Sequence, residues 1–331
     1  MPEFTNARPA HRAARTALRV VMGAMASAMA SALAHTQPVA FEMQSTSMDI
    51  TVSETRVATY SWEDAETLRP HFSNLLAPNG QAITRTHPPH PENDQGNDDH
   101  ASFHPGVWLA FGDLGGADFW RNRARVRHMG FVVEPQGGDG LGRFEVRNRY
   151  ETLDSPPRVI GEEHALYQFR VTEQGYLLEC EYRFTPAEGD TAFGDQEEMG
   201  LGVRLATPLT VKSGNGWILN SEGGRDEAGT WGKPAQWCAA GAEVDDAQIG
   251  AVVIPSPENF RPSRFHSRDY GLIVANPFGK KSMTAPSDPE VPLESTPATD
   301  MSIGFAVGLF STTGEARDAI EALHASYLEK W

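Results

Sequence analysis

The sequence predicts an all-β fold, a large antiparallel β-sandwich with a C-terminal helix. Three observations carry this. Apolar and polar residues alternate through many short runs, and turn residues bound those runs, with 31 Gly and 23 Pro in 331 residues. No helix-period segment intervenes until the end of the chain.

The elements follow in order. "MDITVSETRVATYSW" alternates, with Ile50, Val52 and Val57 among polar residues. "RFEVRNRYETL", "HALYQFRVT", "GYLLECEYRFTP", "GLGVRLATPLTV" and "GWILNSEGG" continue the pattern, each bounded by Gly, Pro, Asp or Asn. "IGAVVIPSP" and "YGLIVANPFG" are continuously apolar and suit central strands, and "MSIGFAVGLFST" adds one more. "TGEARDAIEALHASYLEKW" is the one helical stretch: Ala316, Ile320, Leu323 and Tyr327 keep a 3–4 spacing, and Thr313 lacks the glutamate of a capping box. Residues 86–99 and 280–300 read as loops, too polar to pack and too proline-rich to pair. With similar strand-like sequence on both sides of each loop and no internal repeat, 48–331 is expected to be one domain.

Residues 1–47 are set apart. They hold Arg8, Arg12, Arg15 and Arg19, then a weakly apolar stretch and Ala32-Leu33-Ala34, the outline of a secretory signal. If 1–34 is such a signal the protein is secreted or periplasmic; a start at Met43 or Met48 would leave it cytoplasmic. No later stretch reaches the roughly 20 apolar residues of a spanning helix, so no membrane insertion is expected.

The formal charge is -16. Residues 48–331 carry 24 basic and 42 acidic residues, a balance of -18, because the first 47 hold four Arg and two Glu. Such a surface repels phosphate backbones, which argues against nucleic acid and leaves small neutral or cationic molecules as partners. The two cysteines, Cys180 and Cys238, sit in apolar strand-like runs and read as buried free thiols; no CxxC pair occurs.

Four polar clusters stand at the edges of apolar strands. In "DDHASFHPGVWLAF", His100 and His104 are four apart, a spacing that puts both on one face of a strand or helix. They fit a polar substrate pocket, structural hydrogen bonding or, with Asp98 or Asp99, a metal; the Glu of HExxH is absent and no third ligand is fixed by spacing. In "DQEEMGLGVRLATP", Glu197, Glu198 and Arg204 are either a solvated strand end or a carboxylate tuned for proton transfer. "NSEGGRDEAGTWGKPAQWC" places Trp231 near Arg225, Glu227 and Lys233, the makings of a sugar site, with burial in the core the plainer reading for Trp237. In "RFHSRDYGLIVANPFG", His266 and Arg268 share a strand face, Arg268 suits planar recognition of oxygens, and Asn276-Pro277 ends the run.

These stretches, with "RPHFSNLLAPNGQAITR" before them, together resemble the PmoA-like family of bacterial proteins, domains of unknown function often labelled "methane oxygenase PmoA". The resemblance runs from about residue 55 to 325. The membrane methane monooxygenase subunit itself does not fit a chain without spans. Phe103-His104-Pro105-Gly106 departs from the adjacent histidines and Arg-Gly of many members, which weakens a metal role for that pair. The resemblance implies carbohydrate metabolism, and the sandwich could be of the supersandwich type seen in aldose mutarotases.

The resulting expectation is a carbohydrate-active enzyme working on a sugar or glycoside by His/Glu acid–base chemistry, without a cofactor. His100, His104, Glu197, Glu198 and His266 are the catalytic candidates. Arg204, Arg225, Trp231, Lys233, Arg268 and Asn276 are the substrate-binding candidates. The alternatives are a non-catalytic glycan-binding module and a metal-dependent hydrolase built on His100 and His104.

Overall fold

The computed structural model describes residues 37–187, 189–284 and 291–330. The signal-like segment 1–34 lies outside them. In chain order the strands are β1 (Pro38–Met43), β2 (Ser47–Val52), β3 (Thr55–Ser61), β4 (His71–Ser73), β5 (Val107–Phe111), β6 (Ala124–Gln136) and β7 (Gly138–Asp139). Then come β8 (Leu141–Thr152), β9 (Val159–Val171), β10 (Gly175–Pro186), β11 (Ala192–Phe193), β12 (Met199–Arg204) and β13 (Trp217–Asn220). The last are β14 (Cys238–Val244), β15 (Ala247–Pro255), β16 (Arg264–Arg268), β17 (Leu272–Asn276), β18 (Thr296–Pro297) and β19 (Met301–Thr312).

Two large antiparallel sheets form the expected all-β sandwich. One has nine strands in the order β16-β17-β12-β5-β4-β3-β2-β1-β7, the other eight in the order β13-β14-β15-β19-β10-β9-β8-β6. The core lies between them. Alternation along each strand sends Phe72, Leu109, Phe111, Leu201, Val203 and Ile273 of the first sheet inward, against Phe144, Tyr167, Cys180 and Val253 of the second. Both cysteines are buried and free, and burial pushes the Cys180 thiol up to about 12. The C-terminal helix (Ala316–Leu328) covers the outer face of the eight-stranded sheet, packing Ile320, Leu323 and Tyr327 on Trp237, Val252 and Phe310.

The folded region starts earlier than expected. β1 precedes residue 48 and pairs with both β2 and β7; its Val39 is buried, and its Phe41 meets Phe144 edge-on at 5.7 Å. Its run "PVAFEM" is short and holds a single polar residue, Glu42, so it carries little alternation to read. The loops also differ from expectation. Asp94 and Asn97, within 86–99, are buried because the Thr86 hydroxyl and His90 amide donate to Asp94, while Asn97 accepts from Arg204 and donates to Leu205 O; Thr296–Pro297 pairs with Ala192–Phe193 as a small extra ladder. Among the described residues no helix is long and apolar enough to cross a membrane.

Candidate functional site

The outer face of the nine-stranded sheet, near β16, β17, β12 and β5, carries the polar groups. On β16, Phe265 and Ser267 turn one way into buried surroundings, so His266 and Arg268 turn the other way. Two adjoining cavities of about 670 and 640 Å³ lie there and share Glu227 and Arg268 in their walls. The first is also lined by Arg121, Glu197, Glu198, His266, Tyr270 and Ser282, the second by Trp231, Lys233, Arg264 and Met283.

Glu197 organises this cleft. Its Oε2 lies 2.9 Å from His266 Nδ1 and accepts from Arg268 Nη2 at 2.8 Å, while Arg268 Nη1 reaches Glu227 Oε1 at 2.7 Å. A carboxylate oxygen so close to Nδ1 requires a proton on that nitrogen. The Trp231 indole N–H also points at this Nδ1, from 3.2 Å, the longer of the two contacts. His266 Nε2 is therefore the nitrogen with the lone pair, and it makes no protein hydrogen bond among the described residues. The electrostatics agree. The hydrogen bond from His266 holds the Glu197 carboxyl below its ordinary range, and burial holds His266 below its own, against the opposing pull of Glu197. A neutral imidazole braced by a carboxylate is a proton acceptor ready at neutral pH.

His100 and His104 are placed elsewhere. His104 is wholly buried, its ring between Trp108 at 5.0 Å and His100 at 4.8 Å, both near parallel. His100 is near parallel to Tyr270 at 6.1 Å, so an aromatic ladder runs from the interior to the cleft wall. Gly202 makes room for it: a Cβ there would sit 2.7 Å from the Trp108 ring. The His104 ring nitrogens face two donors, Trp120 Nε1 at 3.2 Å and Arg204 Nη1 at 3.3 Å, and neither points at a cavity. The catalytic and metal roles expected of His104 are thereby corrected, since it has no lone pair free for substrate or ion; His100 is exposed, its Nδ1 paired with Asp99, and it lies outside the cleft lining. The cause is burial. Desolvation, then the charges of Arg204, His100, Arg69 and Arg85, holds His104 well below the usual histidine range.

Three buried arginines fix this region, Arg85 and Arg69 through backbone carbonyls and Arg204 through side-chain oxygens. Arg85 donates to the carbonyls of Asp99 at 2.7 Å and His104 at 3.0 Å. Arg69 donates to Trp120 O at 3.0 Å and to Phe103 O. Arg204 donates to Asn97 Oδ1 at 2.6 Å and to Asp99. Arg204 is thus a brace for the 94–104 loop and not a substrate ligand, since it is fully buried and spent on protein acceptors.

Of the remaining candidates, Glu198 lines the cleft paired with Arg121, and Lys233 and Trp231 line its second part. Two others fall outside it. Arg225 is exposed just before the short helix Asp226–Thr230 and lines neither cavity. Asn276 is buried with its amide used up, donating to Gln196 O at 2.7 Å and accepting from the amides of Phe278 and Gly279. The sequence reading missed Arg121 and Asp195. The Asp195 carboxylate accepts from the amides of Lys280, Lys281, Ser282 and Glu294 and from the Ser282 hydroxyl, which pins the cleft-lining loop. A lone Asp before Gln-Glu-Glu gives no sign of such a cradle.

Fold and site define an antiparallel β-sandwich with a carboxylate-rich cleft on the outer face of one sheet. The chain belongs to DUF6807, a family of unknown function whose model matches residues 47–324. This finding overturns the PmoA-like resemblance; nothing indicates that family. The motifs that suggested it lean on turn glycines such as Gly232 and Gly271, whose φ values of 68° and 95° meet a backbone need common to many folds. No curated protein matches the sequence. Among solved structures, the chain is similar to the galactose mutarotase related enzyme from Lactobacillus acidophilus. The identity is 8% and the TM-score 0.39, over 84% of this chain and 99% of that one.

Proposed function

We propose that the protein is a carbohydrate-active enzyme that takes a proton from a sugar or glycoside at His266, with Glu197 orienting the imidazole. The observation that carries this reading is the dyad itself: Nδ1 is held by Glu197 at 2.9 Å, and Nε2 is unclaimed by protein in a residue that lines the cleft. The surroundings support a neutral, hydroxyl-rich ligand. Glu197, Glu198 and Glu227 would repel an anion, whereas hydroxyl groups can donate to these carboxylates and accept from Arg268 and Lys233. Burial raises the Tyr270 phenol above its ordinary value, so it stays protonated and can donate to a ligand oxygen.

The second reading, a non-catalytic glycan-binding module, rests on the same cleft. Glu198, the expected partner acid, is ion-paired with Arg121. A panel of mono- and oligosaccharides, read for both turnover and binding, separates the two. For the enzyme, His266→Gln should lower kcat by about 100-fold with saccharide affinity retained. Saccharide binding without turnover by the wild type would favour the module. Neither binding nor turnover across the panel would refute the carbohydrate reading.

A further inference from the structure

A second cluster lies away from the cleft, where the loop after β3, the start of β4 and the loop after Arg85 meet. One ligand atom from each of Asp64, His71 and His87 lies within 4.8 Å of the others. His71 is buried, the His87 side chain is 5% exposed, and the Asp64 side chain is 30% exposed. His71 Nδ1 lies 3.2 Å from Arg69 O, which only accepts, so this nitrogen carries the proton and Nε2 keeps a lone pair. Thr67 gives its hydroxyl proton to Ser102 O at 2.7 Å, so its 3.2 Å contact to His87 Nε2 puts a proton on that nitrogen too. The lone pair of His87 is left on Nδ1, which is buried and has no hydrogen-bond partner. Asp64 Oδ1 accepts from the amides of Glu66 and Thr67 at 2.8 Å each, which leaves Oδ2 unclaimed by them.

We propose that Asp64, His71 and His87 form a binding site for a divalent transition-metal ion, held by two imidazole nitrogens and one carboxylate oxygen. Each group shows a feature such a site needs. Both imidazoles donate their proton to a neighbouring oxygen, which fixes the tautomer and turns a lone pair elsewhere, and a buried lone pair without a partner is what a cation would satisfy. Asp64 supplies negative charge, and its Oδ1 lies 3.8 Å from His87 Nε2, too far for a hydrogen bond to use it up. Metal–ligand bonds of about 2.1 Å hold ligand atoms up to roughly 4 Å apart, so an ion would draw the three groups together by several tenths of an ångström. Mixed nitrogen and oxygen donors favour Zn²⁺ or Fe²⁺ over Ca²⁺ or Mg²⁺. Asp64 and Thr67 line a surface cleft of about 330 Å³, which supplies an entry path and room for water on the ion. This site is independent of the His266 cleft.

The test uses the full chain, treated with chelator and dialysed, with Zn²⁺ as the probe. Calorimetry should show one Zn²⁺ per chain, and saturating Zn²⁺ should raise the Tm by about 5 °C, because the ion binds the folded state. Asp64→Asn and His87→Gln should each weaken binding at least tenfold, and His100→Gln should leave it unchanged. If His87→Gln fails to fold, the partly exposed Asp64→Asn decides alone. No saturable Zn²⁺ binding by the wild type, or undiminished binding by Asp64→Asn, would overturn the proposal.

Discussion

Replacing His104 by Gln should change the pH dependence of stability and not only its size. His104 is fully buried and held neutral, whereas in an unfolded chain it titrates near the ordinary histidine value of about 6.5. Its folded pKa is depressed, so acid favours the unfolded state. The stability that neutral His104 contributes is complete above about pH 6.5. Below that it is lost at up to roughly 1.4 kcal/mol per pH unit, until the folded value is reached. Gln offers an oxygen to the Trp120 indole but neither stacks on Trp108 nor titrates. At pH 8 the variant should be about 1–3 kcal/mol less stable, the scale of a lost aromatic pair and an imperfect buried hydrogen bond. Below pH 6.5 the gap should narrow by about 1.4 kcal/mol per unit, so that the two proteins nearly meet around pH 5. Urea denaturation followed by tryptophan fluorescence from pH 5 to 8 measures this, and other titrating groups cancel in the difference. Parallel stability curves would refute a buried neutral His104.

Two further outcomes are expected. If His266 is the base, kcat/KM should be flat above about pH 6.5 and fall on acidification, with the limb displaced to lower pH because burial depresses its pKa; an acid limb centred above pH 7 would contradict the dyad. A chain beginning at Met48 lacks β1 and uncovers Gly142 and Phe144 where Val39 and Phe41 pack. It should lose about 3–5 kcal/mol by denaturant titration relative to one beginning at Gln37, and equal stabilities would show that β1 is dispensable.

Much of the fold was legible because the sandwich repeats one instruction: an apolar residue every second position between turn residues. The continuously apolar "YGLIVANPFG" runs through β17, all of whose residues are buried, and the 3–4 spacing of Ile320, Leu323 and Tyr327 marks the helix face that packs. The site was legible where alternation reached it, since His266 and Arg268 share a face for the reason the strand exists. It was illegible where polar residues are buried. Arg204 was expected at a substrate and Arg69 and Arg85 drew no notice; only acceptors on distant segments, backbone carbonyls for Arg69 and Arg85 and the Asn97 and Asp99 side chains for Arg204, explain their burial. His104 beside Pro105-Gly106 has the local signature of a solvated turn, yet Trp108 and Trp120 enclose it. Asp64, His71 and His87 come from three separate segments at irregular spacing, so no local pattern joins them.

Sheets of nine and eight strands carry a hazard of polymerisation, because every open edge is a template for another chain. Three edges offer little to copy. β7 has two residues and β13 four, and along β16 the segment 232–234 already exchanges backbone hydrogen bonds with Phe265. β6 is the long one, with 13 residues and a half-exposed Val132. Its pairing with β8 slips at His128/Gly130, Phe131/Val133 and Val133/Gln136, and Arg125, Arg127 and Glu134 stand along it. Each slip breaks the even spacing of amides and carbonyls that an incoming strand must match, and the charges would have to be stripped of water to let it dock. The irregularity of β6 thus works against edge-to-edge addition at the longest open edge of the two sheets.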